Sequence, residues 1–422
     1  MTTGFAMLST RQSPPLAVPM RFLLTAPLFL AMVGLVMLLA PAQFATRWNP
    51  AVLAAAHLWV LGFMLMVMVG AIQQLVPVLI GVPLARPMAV SRVLHGMLVF
   101  GVGALAVAFL RESAGYFWLA VVLLDGALLV LLTAVLPALR RSPSSHATVQ
   151  GMFLALAALA LTVVLGSFLA MGHIGRVPLH REWTDLHLTW GLAGWTVLLV
   201  AAVAWQVVPM FQLTPRYPLW LTRWLGPVLL LGLVTASVGE GVLGSIGAAL
   251  LSLALLSLAG WTLWLQTRRK RRLADATLDF WRLAMLSLIA AVIGWWARKS
   301  GLNLPDLWLG ALMAVGFAGS AILGMLYKIV PFLVWLHLTN RAMDQGLSVS
   351  GLPNMKQVIP AVRSRWLLRV HLVWVLGLLA IPWLPPSGVR LVGLVGLVEG
   401  LLLEWHLGAA LVLYRRHQQA RG

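Results

Sequence analysis

Apolar residues in this chain come in runs of about 20, broken by short polar or proline-bearing stretches, which is the length a helix needs to cross a hydrocarbon core about 30 Å thick. The runs predict helices over roughly 21–40, 52–80, 90–110, 116–138, 148–171 and 185–212, then 219–239, 243–266, 278–297, 306–335, 366–386 and 390–414. Arg21 followed by apolar residues to Ala40 has the outline of a signal peptide. Its length suffices to cross, and cleavage would spoil the topology, so it reads as the first span. Met1–Met20, with Pro14, Pro15 and Pro19, reads as a short polar tail.

One run occurs three times. Gly62–Pro77 (GFMLMVMVGAIQQLVP), Gly194–Pro209 (GWTVLLVAAVAWQVVP) and Gly316–Pro331 (GFAGSAILGMLYKIVP) align without gaps. They share Gly, an aromatic residue, a small residue (Gly70, Ala202, Gly324), a polar one (Gln74, Gln206, Lys328), Val, and Pro. At about 100° per residue all but the Val fall within an arc of about 120°, so one helix face is repeated. These are the second, sixth and tenth spans. The expected fold is all-α: a polytopic membrane protein of about 12 helices in three pseudo-symmetric four-helix arcs, with repeats near 21–138, 148–266 and 278–414. The whole chain forms one integral domain. The only long connection, Asn340–Arg365, is polar, rich in Gly, Pro and Ser, and reads as a mobile loop.

Composition agrees: 61% of the 422 residues are apolar, 10% are charged, and mean hydropathy is +0.94. The net charge of +19 would suggest nucleic acid in a soluble domain, but here topology accounts for it and no nucleic-acid partner is implied. With the N-terminus inside, Lys and Arg favour inner loops three to one. The inner set includes Arg11, His146's neighbours Arg140 and Arg141, the run Arg268–Arg272, and Arg421. The outer set is Arg47, Arg111, Arg176, Arg181, Arg298, Lys299 and Arg390. The bias places both termini in the cytoplasm of a bacterial-type inner membrane, with the lipid bilayer as the first partner. Absence of Cys excludes Cys-ligated metals and iron–sulfur clusters held by this chain.

Ionisable groups inside spans are costly and are the default functional candidates. His57 opens the second span and His187 the sixth, both in the outer third. On a straight helix His187, seven before its motif Gly, shares the repeated face, while His57, five before, points about 140° from that face's centre. Asp125, Lys328, Glu399, Glu404 and His406 are candidates for ion pairs or a proton path; Glu399 and His406, seven apart, can share a face. No dinucleotide fingerprint, phosphate loop, HExxH or Ser/His/Asp pattern stands out.

Twelve spans in three arcs, termini inside and a His opening the second span resemble the catalytic subunit of the haem–copper oxidase superfamily, nearest its nitric oxide reductase and C-type oxidase branch. His187, Gly194, Trp195 and Pro209 are similar to that branch's sixth span. The resemblance implies that His57 is an axial ligand of a b-type haem and that His187 matches, loosely, a ligand of the second metal. The chain departs from the family elsewhere. Leu221–Gly239 holds no His pair, and Asp306–Pro331 holds no His, which leaves Met313 as a replacement haem ligand. Without the pair on the seventh span there is no binuclear centre, so oxygen or nitric oxide reduction is not implied. The expected function is a haem–copper-oxidase-like protein binding one haem. Its role would be electron transfer, sensing or nitrogen-oxide/copper metabolism, with membrane or periplasmic redox proteins as partners. The alternatives are a non-haem scaffold or assembly factor, and a small-solute or ion transporter.

Overall fold

The three repeated helices are the most buried of the molecule, and the others are arranged around them. A computed structural model describes residues 12–142, 147–270 and 273–419, with the side chains of residues 79 and 80 also left aside. Arg11, His146, Arg271, Arg272, Arg421 and most of the N-terminal tail lie outside the described residues. Among the described residues there are twelve helices long and apolar enough to cross a membrane, and no strand. They are α1 (Ala17–Leu39), α2 (Pro50–Val78), α3 (Pro87–Arg111), α4 (Ala114–Arg140), α5 (Ala147–His173) and α6 (Trp183–Gln212). Then come α7 (Leu219–Val238), α8 (Gly241–Thr267), α9 (Ala276–Lys299), α10 (Asp306–Asp344), α11 (Ala361–Trp383) and α12 (Pro386–Gln419). This is an all-helical polytopic membrane protein. In α2, α6 and α10, 67%, 78% and 78% of the most apolar stretch is buried, against at most 61% in any other helix.

The packing repeats with a period of four helices. Each repeated helix lies along the first helix of its own unit: α2 on α1, α6 on α5, α10 on α9. The third and fourth helices of each unit pair as α3–α4, α7–α8 and α11–α12. The fourth meets the next unit's first helix, as α4–α5, α8–α9 and α12–α1.

The repeated residues make the first of these contacts. A Cβ on Gly62 would sit 2.5 Å from Phe29 of α1, one on Gly194 3.1 Å from Ala158 of α5, and one on Gly316 2.6 Å from Ser287 of α9. Eight residues on, Gly70 faces Phe22 and Gly324 faces Phe280. In the second unit the small residue is Ala202, and the missing Cβ is on the partner instead: Gly151 of α5 packs on it. In lipid, where apolar helices gain nothing by leaving an apolar solvent, such small-residue contacts supply the association. The repeated polar position clips the start of the same helix in two units. Gln74 Nε2 donates to Ser13 Oγ at 2.7 Å just before α1, and Lys328 Nζ donates to Asp275 Oδ2 at 2.7 Å just before α9.

Each repeated helix also carries a π-helical stretch across its motif Gly: Leu58–Leu65, Trp190–Thr196 and Ala311–Gly319. A π turn holds one residue more than an α turn, so the face upstream of each Gly is rotated from where a straight helix would put it.

Several boundaries differ from expectation. α1 begins at Ala17 rather than residue 21, and α11 at Ala361 rather than 366. α12 runs on to Gln419. Pro331 lies well inside α10, which continues to Asp344, whereas Pro77 and Pro209 do fall near their helix ends. The long connection therefore narrows to residues 345–360. It contains a capped turn, Met355–Val358, in which Asn354 Oδ1 accepts from Lys356 N and the Gln357 side chain accepts from Asn354 N.

α1 and α12 pack backbone to backbone: a Cβ on Gly400 would lie 2.5 Å from the backbone nitrogen of Ala31, while Gly408 faces open space. Gly400→Leu is expected to destabilise the protein by about 1–3 kcal/mol or to force the pair apart. Gly408→Leu on the same helix should be neutral; thermal unfolding of the two detergent-solubilised variants checks this.

Candidate functional site

At the N-terminal ends of α2, α6 and α10 lies a cavity of about 770 Å³, within the usual range for a small-molecule site. Its walls are mainly apolar, with Trp59, Leu105, Phe109, Trp195, Val315 and Trp374 among them. Its polar groups are few and grouped. His57 and His187 face each other across it, ring centres 6.3 Å apart and planes 24° apart. The repeated face of α2 packs on α1 through Gly62 and Gly70, whereas His57 lines the cavity and stacks on Phe109 of α3.

Both imidazoles are held in the same way. Nδ1 of His57 bonds its own helix at Leu53 O (2.7 Å), and Nδ1 of His187 bonds Thr162 O of α5 (3.0 Å). A carbonyl only accepts, so each Nδ1 carries the proton and each Nε2 is left as a lone-pair donor, the tautomer a metal ligand requires. Gly166 lets α5 approach, since a Cβ there would meet His187 Cε1 at 2.9 Å. Phe109 stacks on the other side of His57, centres 5.1 Å apart, and His173 stacks on Phe117 at 5.4 Å nearby.

The outer mouth of the cavity is basic. Arg47 pairs with Asp185, and Arg298 with Asp306 at 2.8 Å. Arg47 Nε is buried without a partner. Arg181 lies over the Trp48 ring at 5.5 Å and Lys299 over Trp295 at 5.6 Å, leaving two further cations at the rim. Asp125 also lines the cavity, deeper along α4, where it accepts from Ser167 Oγ at 2.9 Å.

The remaining candidates fall elsewhere. Met313 is not in the cavity wall; the π-helical stretch of α10 presents Ala311, Ala314 and Val315 there and leaves Met313 among packed apolar neighbours. Lys328 meets neither Asp125 nor Glu399. Its partner is Asp275, whose carboxyl feels opposing effects. Burial pushes its pKa up, but the Lys328 ammonium and the Thr277 hydroxyl and amide outweigh this and hold it below the usual carboxylate value. Glu399 and His406 do share a face of α12, but each reaches a different helix: Glu399 Oε1 bonds His371 Nδ1 at 2.7 Å, and His406 Nδ1 bonds the Tyr327 hydroxyl at 2.6 Å. Glu404 keeps one carboxylate oxygen buried without a partner. Among the described residues, no cluster of three or more His, Asp or Glu side chains is placed to hold a metal ion.

Arg47, Arg181, Trp59, Ser167 and Thr162 were not singled out from sequence. Only the two arginines carried a signal, as outer-loop charges that broke the inside bias. Compared with protein-family models and with curated proteins, the chain matches none.

The Asp275–Lys328 pair has a defined pH signature. A carboxyl held below its ordinary value contributes stability that is complete above the unfolded value near 4 and disappears as pH falls through the folded value. Wild type should therefore be more heat-stable than Asp275→Asn from neutral pH down to about 5, with the two curves converging below about 4.

Proposed function

We propose that the outer cavity binds one b-type haem between His57 and His187, making the protein a membrane electron-transfer component. The observation that carries this reading is the spacing and tautomer of the two imidazoles. With ring centres 6.3 Å apart in one cavity and both Nδ1 protons committed to carbonyls, His57 and His187 would hold a haem iron through their Nε2 lone pairs. His187 then takes the place that a ligand from the tenth span would have held, and Met313 takes none.

The rest of the cavity suits the same ligand. A haem is a flat apolar macrocycle with two carboxylates along one edge. The cavity offers an apolar interior walled by Trp59, Phe109 and Trp195 and a rim of Arg47, Arg181, Arg298 and Lys299 that can meet carboxylates at the water interface. The second nitrogen of each His is held by a backbone carbonyl, which fixes ring orientation and raises ligand basicity. Low dielectric around the site, two neutral nitrogen ligands and the nearby cations together set the potential. A haem held by both imidazoles would supply one-electron exchange. The basic rim at the outer face suits a donor or acceptor that is acidic and either periplasmic or membrane-bound.

Spectra of the detergent-purified full chain from haem-replete cells, oxidised and dithionite-reduced, test this. Wild type should show about one haem per chain with the sharp reduced bands of a low-spin centre. His57→Ala and His187→Ala should each abolish the low-spin signature, and Met313→Leu should leave the spectrum unchanged. A well-folded preparation without a Soret band overturns the proposal. So does an unchanged spectrum in His187→Ala.

A further inference from the structure

The midplane holds a second polar assembly that the cavity does not use. His371 of α11 and Glu399 of α12 are both fully buried and are joined by Nδ1···Oε1 at 2.7 Å. Nε2 of the same imidazole meets Ser320 Oγ of α10 at 2.9 Å, and Glu399 Oε2 is buried with no partner. Seven residues further along both α10 and α12, toward the inner end, Tyr327 and His406 form the next contact, with His406 also buried. Seven residues is about 10 Å along a helix axis, a distance a short file of water can span where buried polar groups line it.

We infer that the His371–Glu399 pair is a proton-binding site that exchanges with the inner side through Tyr327 and His406 and is charge-coupled to the outer cavity. With one shared proton the pair is neutral overall, whether written as acid and imidazole or as carboxylate and imidazolium. Neutrality is the condition a dry interior imposes. Adding a second proton makes it cationic, and removing the first makes it anionic. Either change requires compensation by a charge nearby. The cavity is close enough for a charge there to act on the pair. Trp374, three residues from His371 with ring centres 6.5 Å apart, lines the cavity wall and contacts Trp59 at 5.0 Å. A negative charge added in the cavity lowers the cost of a second proton on the pair, and the coupling is strong because little water screens it.

The other ionisable groups around the pair leave it this role. On α10, Lys328 is paired with Asp275. On α9, which places Phe280 against His371, Asp279 and Arg282 pair with each other at the surface. Arg21 of α1 bonds its own helix at Ala17 O. Arg363 of α11 is within electrostatic reach of Tyr327 and His406 at the inner end, where Glu404 of α12 also lies. His57 of α2 belongs to the cavity.

The charge-coupling half of this inference rests on the haem reading, and its test separates the two. With dithionite or a mediator as one-electron donor, each electron entering the cavity is matched by a proton drawn from inner-side water onto the His371–Glu399 pair. The midpoint potential of the purified wild type should therefore fall with rising pH, by up to about 59 mV per unit for one proton per electron. In Glu399→Gln the Soret band should remain and the pH dependence should vanish. An intact spectrum with an undiminished slope in Glu399→Gln overturns the coupling. The proton site itself is read without haem, by infrared difference spectra between acid and alkaline buffer. A carboxyl band and an imidazole band should change together in wild type, and the carboxyl band should be absent from Glu399→Gln. If that variant does not fold, Ser320→Ala, which removes only the hydroxyl on Nε2, should move the pH at which the two bands change. Absence of any pH-sensitive carboxyl band at Glu399, or no effect of Ser320→Ala, overturns the proton site whatever the fate of the haem reading.

Discussion

Everything in this molecule depends on how closely one helix of each unit can approach another. In water, apolar helices associate because water expels them. In lipid that drive is absent, and what remains is dispersion between surfaces that fit, gained only where backbones come close. Gly62, Gly194 and Gly316 make this approach possible against Phe29, Ala158 and Ser287. A second small residue eight positions on extends the contact over two turns. The same Cβ is missing from α5 rather than α6 in the second unit, since Gly151 receives Ala202. What is repeated is the fit, and either partner can supply the space.

That close packing along the inner half leaves the outer half free to open. Just upstream of each contact the chain runs as a π-helix, a form of helix costly enough to persist only where the surroundings over-determine it. Its wider turn breaks the register of the small-residue face. Upstream of it, His57 and His187 meet across one cavity. The carbonyls of Leu53 and Thr162 then fix both rings in the tautomer with free Nε2. Two polar assemblies adjoin as a result: a histidine pair in an apolar chamber with a basic rim, and a midplane acid–base pair linked to that chamber's wall through Trp374 and Trp59.

The bilayer sharpens the electrostatics of both places. An unpaired charge at mid-depth is expensive, and ionisable side chains there are hydrogen-bonded to partners: Asp125 to the Ser167 hydroxyl, Glu399 to His371, His406 to Tyr327. At the membrane edge the constraint relaxes, and full ion pairs such as Arg298–Asp306 and Lys328–Asp275 occur where water can reach them. This depth dependence explains why Lys328, although in register with Gln74, pairs with the start of α9 rather than with any midplane acid.

Fold class, the twelve spans, the register of the repeat and its preferred face could all be read from the order of residues. Helix length against bilayer thickness and the spacing of small residues are local properties that survive without knowing what lies opposite. His57 and His187 could also be chosen as candidates by depth alone. Their meeting could not be foreseen, because it depends on how α2 and α6 are placed around the cavity, and nothing in the local sequence announced the π turns at their motif glycines. Ser320, Tyr327 and His371 were similarly hidden. A serine, a tyrosine and a lone histidine are unremarkable on separate helices, and become a connected set only when α10, α11 and α12 are packed with Glu399 between them. Met313 shows the converse, a residue well chosen by depth that the tertiary structure turns away from the cavity. The sequence by itself determined which segments cross the membrane and which face of each repeated helix packs, since those depend on composition and period. Which side chains share a cavity was decided by the tertiary structure alone, because that depends on helix rotations of a few tens of degrees that only the packed neighbours set.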